Sequence, residues 1–160
     1  MRQVPGGHVQ DAVAASLVCR VGELLCALPL AHVGETMRAL PAEPLAGMPP
    51  FVRGLAIVRG RPTPVIDAGA LLLETGASGR RFVTVSPGAR PFMLAVDDVV
   101  GVMTLPADIA GTLPSLLQTP RLAAIAAAGT IDGDLLLVLE LARLVPDAVW
   151  ARLASGGAVA

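Results

Sequence analysis

Phe51-Val52-Arg53-Gly54-Leu55-Ala56-Ile57-Val58-Arg59-Gly60-Arg61-Pro62-Thr63-Pro64-Val65-Ile66-Asp67 is two short apolar runs joined by a turn. Gly54 to Val58 and Thr63 to Asp67 are rich in aliphatic side chains, and Arg59-Gly60-Arg61-Pro62 supplies the turn, so the stretch reads as a β-hairpin. Pro62 and Pro64 cannot donate to a ladder and belong at an edge or a strand start. Upstream, Leu17 to Val21 and Leu24 to Leu28 flank Gly22-Glu23 as a second hairpin. Its register sets Cys19 opposite Cys26 and places Leu17, Val21, Leu24 and Leu28 on their inward face. Between the hairpins, Pro29, Pro41, Pro44, Pro49 and Pro50 leave no room for a long helix, only a turn around residues 32–38.

The second half of the chain repeats the first. Leu28-Pro29-Leu30-Ala31-His32-Val33 through Met37 aligns with Leu94-Ala95-Val96-Asp97-Asp98-Val99 through Met103, followed by Pro41 and Pro106 respectively. Arg59-Gly60, Pro64 to Asp67 and Leu71-Leu72 align in the same order with Asp132-Gly133, Leu137 to Glu140 and Leu144-Val145. Two modules of short strands follow, expected as two small β-barrels that share an interface. The expected division is a loose arm at 1–14, a first barrel over 15–80, a second over 81–146, and a short helix with a frayed tail at 147–160. Residues 74–80 read as a linker. Pro146-Asp147 opens the helix, with Val149, Trp150 and Leu153 on one face.

Composition removes several function classes. With 12 basic and 13 acidic residues the net charge is −1, and the charges are scattered, so neither a nucleic-acid surface nor a membrane patch is expected. Every basic residue is Arg, which excludes lysine-dependent phosphate loops and Schiff bases. Phe51, Phe82, Phe92 and Trp150 are the only aromatics, too few for base stacking. Charges interrupt each apolar run before the roughly 18–20 residues that span a bilayer, and the N-terminus lacks a secretory pattern; a cytoplasmic protein without membrane insertion is expected. Cys19 and Cys26 read as reduced core thiols.

No catalytic, metal or cofactor constellation emerges. Asp97-Asp98 on a strand would point to opposite faces, and Asp132-Gly133 is type I′ turn chemistry. His8 and His32 have no neighbouring ligand set. Arg59 stands out at a tight apolar hairpin: it is either a surface-turn arginine or a binding anchor, whose rigid fork of donors suits an interface.

These segments resemble a known family. The run from Phe51 to Asp67 is similar to the G-x-x-N-L-R-G-x-x-x-P-V-x-D-L signature of CheW-like domains, Ala27 to Glu35 to A-L-P-I-x-x-V-x-E, and Leu94 to Val102 to L-x-V-D-x-V-x-G-V. Asp132 to Leu141 completes the pattern, so the resemblance covers residues 16–146. Ile57 takes the place of the family's Asn, Ala68 that of a Leu, and Cys26 that of an aromatic.

The resemblance implies a mainly β fold of two intertwined SH3-like five-stranded β-barrel subdomains with a short C-terminal helix, and no enzymatic activity. It implies an adaptor that bridges the cytoplasmic tip of a chemoreceptor to the regulatory domain of the histidine kinase CheA, recruited to membrane receptor arrays. Val33, Glu35, Gly54 and Arg59 match the family's receptor-facing positions. Two other readings stand beside it: an adaptor of a pilus or second-messenger pathway, and a small barrel binding an apolar ligand in a closed cavity.

Overall fold

The computed structural model describes residues 15–73, 79–105 and 124–157. The arm at 1–14, most of the 74–80 linker, Pro106 and the last three residues of the tail lie outside them. Among the described residues, ten strands run in order: β1 (Ser16–Val21), β2 (Leu24–Pro29), β3 (Val33–Arg38), β4 (Val52–Val58), β5 (Arg61–Asp67), β6 (Arg81–Val85), β7 (Phe92–Val96), β8 (Asp98–Met103), β9 (Ile125–Ile131) and β10 (Asp134–Leu139). Helix α1 (Ala68–Leu73) follows β5, and α2 (Asp147–Arg152) follows β10 and continues as a π-type turn over Leu153–Gly157.

The strands form two five-stranded sheets, ordered β8-β1-β2-β10-β9 and β3-β6-β7-β5-β4. Matching β1–β5 to β6–β10 turns one order into the other, so the sequence repeat is a structural repeat. Yet each sheet takes two strands from one repeat and three from the other. A boundary at residue 80 therefore does not separate the sheets: β1 and β2 pair into the strands of the second half, and β6 and β7 into those of the first. The exchange happens where the chain leaves β2 through the turn Leu30–His32 and leaves β7 through the bend at Asp97, each redirecting the next strand to the opposite sheet.

Each sheet curls until its two edge strands share an interior. Met37 of β3 and Val58 of β4 pack on one cluster with Ala56, Val65, Phe82, Met93 and Ala95. Met103 of β8 and Ile131 of β9 do the same around Val18, Leu25, Leu136 and Val138. The largest core lies between the sheets, where Leu17, Cys19, Val21, Cys26 and Leu28 meet Ile66, Val83, Val85, Phe92, Leu94 and Val96. The inward face expected for the first hairpin is this inter-sheet face. Strands covered on both sides lose the alternation of a half-exposed strand, which is why Phe92-Met93-Leu94-Ala95-Val96 is apolar throughout.

The local registers follow from the turns. Cys19 pairs with Cys26 across β1 and β2, as the two-residue turn demands. Arg59 (φ 52°) with Gly60 (φ 79°), and Asp132 (φ 51°) with Gly133 (φ 87°), carry the paired positive φ of type I′ turns. The turn expected over Arg59-Gly60-Arg61-Pro62 is only Arg59-Gly60: strand β5 starts at Arg61, not Thr63, and absorbs both prolines. Leu55, opposite Pro64, gives its N–H and C=O to Glu43 (3.0 and 2.7 Å), so that pairing asks nothing of the proline nitrogen.

Two other local readings need correcting or completing. Residues 33–38 form a strand paired with β6 rather than a helical turn. Helix α1 was not foreseen, although Asp67 before an Ala/Leu run is a capping signal: its Oδ1 accepts the N–H of Ala70 at 3.1 Å. The C-terminal helix matches its reading, with Pro146 at the cap, Val149 buried, and Trp150 edge-on to Phe92 at 6.2 Å between ring centroids.

Candidate partner-binding site

The hairpin between β4 and β5 and strand β3 come together where the second sheet curls closed, since β3 and β4 are its edges. There Arg59 meets Glu35. Nη2 of Arg59 donates to Oε2 of Glu35 at 2.6 Å and Nε donates to the same oxygen at 3.1 Å. The side chains are 77% and 44% exposed. An exposed pair of this kind adds only about 0.2–1 kcal/mol to stability, so its consequence is orientation more than fold. Among the described residues Nη1 of Arg59 has no partner, which leaves part of the fork available to another molecule.

The left-handed conformation of Arg59 sends the chain back into β5 and lifts the guanidinium off the sheet, while Glu35 reaches it from a bulge. Val33 pairs with Val85 and Thr36 with Val83, so Gly34 and Glu35 together face the single residue Thr84. The Oγ1 of Thr84 accepts the Glu35 N–H at 2.6 Å and its hydroxyl donates to the Glu35 carbonyl at 3.3 Å.

Of the four residues expected at this site, the structure joins two. Val33 begins β3 half-buried, packed on the inter-sheet core. Gly54 is buried with φ 142°, beneath the backbone of Glu43 and Pro44; a Cβ there would meet the Glu43 carbonyl carbon at 2.6 Å and the Pro44 nitrogen at 3.0 Å. Its glycine is explained by that close approach. Ile57, two residues before Arg59, is 62% exposed. It rims an open depression of about 490 Å³ with Pro41, Leu45, Leu55 and Pro62, which is a surface groove and not an enclosed chamber.

The other singled-out groups have structural work. Asp97 lies at the bend between β7 and β8, not on a strand, and its carboxylate accepts N–H groups from Gly22 (2.6 Å) and Gly79 (3.0 Å), tying turns together. Asp134 pairs with Arg20 at 3.4 Å. Sequence reasoning missed Arg53, which donates to Asp67 at 2.9 Å and to the Gly79 carbonyl at 3.1 Å and lies 5.8 Å from the Phe82 ring centroid. Burial, and secondarily the charge of Asp98, pushes the Cys19 thiol up to about 12, and burial then Cys19 pushes Cys26 up further. Both cysteines are free. Among the described residues, no three His, Cys, Asp or Glu side chains are grouped to hold a metal ion, and no helix is long and apolar enough to cross a membrane.

Comparison with known proteins places this geometry. A family model, the CheW-like domain, matches residues 15–149. The crystal structure of scaffolding protein TtCheW from Thermoanaerobacter tengcongensis superposes with a TM-score of 0.67, covering 79% of this chain and 88% of that one at 21% identity, and so shares the fold. No curated protein matches the chain. With the family model spanning both sheets and α1, and the fold shared with a CheW scaffold, the chain belongs to the CheW-like domain family.

Proposed function

We propose that the protein is a non-enzymatic cytoplasmic adaptor that couples the cytoplasmic tip of a chemoreceptor to the regulatory domain of a CheA-type histidine kinase. Membership of the CheW-like family supports the adaptor role. The observation that carries the site is the Arg59–Glu35 unit, an exposed cation held by a carboxylate between the two edge strands of the second sheet. A receptor hairpin offers amphipathic helix surface, and a groove with apolar walls and one oriented charge pair suits such a helix. Val33, half-buried at the start of β3, belongs to the proposed site two residues before Glu35, and Gly54 lets the 43–44 segment, which lines the apolar depression, approach β4 closely.

The test is a titration of the full chain with a CheA regulatory domain and, separately, with a receptor-tip fragment, for wild type and Arg59→Ala. Both partners bind the wild type at micromolar levels usual for transient signalling contacts, and Arg59→Ala weakens only the receptor arm. Absence of binding to either partner at tens of micromolar would end the adaptor reading. Equal weakening of both arms would remove Arg59 from the receptor site.

A further inference from the structure

We propose that Thr84 is a positioning residue of the partner site. Its hydroxyl holds the Gly34–Glu35 bulge of β3 in the geometry that aims Glu35 at Arg59, so the arginine meets its partner already oriented. The inference rests on the receptor-binding reading of Arg59, and it adds a residue that no motif of the sequence marks.

A bulge sets two residues against one and leaves backbone groups of the bulged strand outside the ladder. Here those groups belong to Glu35, and one side chain satisfies both: Thr84 accepts from the Glu35 nitrogen at 2.6 Å and donates to the Glu35 oxygen at 3.3 Å. The reach depends on Gly34, because a Cβ at that position would collide with the Thr84 hydroxyl. Fixing the Glu35 backbone fixes where its carboxylate starts from, and that carboxylate takes two donors of Arg59 on one oxygen.

The internal repeat provides the control. In the other sheet β8 pairs with β1 through a register shift at the same place, with Val100 as the extra residue and Val18 opposite Gly101. By register, Val18 is the counterpart of Thr84, Gly101 of Glu35, and Asp132 of Arg59. That copy keeps the bulge but has neither the hydroxyl nor the charge pair. A valine thus fits this position in the fold, and the threonine accompanies the pair.

Thr84→Val and Thr84→Ser test the proposal in two readouts on the full chain. In the free protein, the Arg59 Nε–H resonance, assigned by its loss in Arg59→Ala, should move in Thr84→Val toward its position in Glu35→Gln and stay near wild type in Thr84→Ser. With a receptor-tip fragment, Thr84→Val should weaken binding about three- to tenfold, the scale of one or two hydrogen bonds, Thr84→Ser should not, and Thr84→Val should add nothing in a Glu35→Gln background. An unmoved resonance in Thr84→Val, or an equal loss of affinity with and without Glu35, overturns the proposal. If the wild type binds no receptor tip, the receptor reading fails by itself, and the resonance still decides whether Thr84 orients the pair.

Discussion

Replacing Gly54 with alanine drives a methyl group into the backbone that covers β4. Two costs follow from the geometry. The φ of 142° lies in a region that L side chains rarely adopt, a strain of about 1–3 kcal/mol. The new Cβ would also stand 2.6 Å from the Glu43 carbonyl carbon, so the 43–44 segment must lift, and the two hydrogen bonds between Glu43 and Leu55 lengthen or break. Each is worth about 0.5–1.5 kcal/mol. Together the substitution should cost about 2–6 kcal/mol, read as a lower denaturation midpoint in urea with an unchanged slope. Receptor-tip affinity measured on the folded fraction should also fall, because the flanking segment moves. A loss below about 0.5 kcal/mol would mean that the covering segment yields freely, and would refute the claim that close backbone approach is why position 54 is glycine.

Arg59→Ala should change stability by less than about 1 kcal/mol, since its ion pair is exposed; a larger loss in thermal or chemical melts would make Arg59 a structural residue. Asp67→Ala should cost about 1–3 kcal/mol, because it uncaps α1 and leaves the part-buried Arg53 guanidinium with only the Gly79 carbonyl; a melt within about 0.5 kcal/mol of wild type contradicts this. Cys19 and Cys26 should resist alkylation at pH 8 until the protein unfolds, and stoichiometric labelling of the native state within minutes would contradict their burial. The raised folded-state pKa values make these thiols contribute stability below the unfolded value of 9.0, which declines as pH climbs from there, for Cys19 toward about 12. The decline has a limiting slope of about 1.4 kcal/mol per pH unit for each thiol, and Cys19→Ala/Cys26→Ala should lose that part of the alkaline slope.

Much of the fold was legible because hairpins are local. Gly22-Glu23 and Asp132-Gly133 each announce a two-residue turn, and a turn of fixed length sets the register of both strands, which is how Cys19 and Cys26 could be paired in advance; the second hairpin was legible too, but its prolines made Arg59-Gly60-Arg61-Pro62 read as a four-residue turn, whereas β5 begins at Arg61. Helix α2 was legible from Pro146-Asp147 and the spacing of Val149, Trp150 and Leu153. Residues 33–38 were less so: Val33-Gly34-Glu35-Thr36-Met37-Arg38 alternates poorly because a bulge interrupts its period, and an exposed edge strand has little apolar pattern to show.

What the sequence determined by itself was the hairpins, the duplication of the chain and the candidacy of Arg59. Which repeat each strand would join was decided by tertiary structure, because the hairpins are the same whether β3 folds back on its own repeat or crosses to pair with β6. The crossing prevails by burying one large apolar face between the sheets, a global gain that no local pattern records. The site was divided in the same way. Arg59 could be singled out because a cation at an apolar turn is locally odd, but Thr84 and Glu35 are 49 residues apart, and only the pairing of β3 with β6 sets the hydroxyl against the bulge.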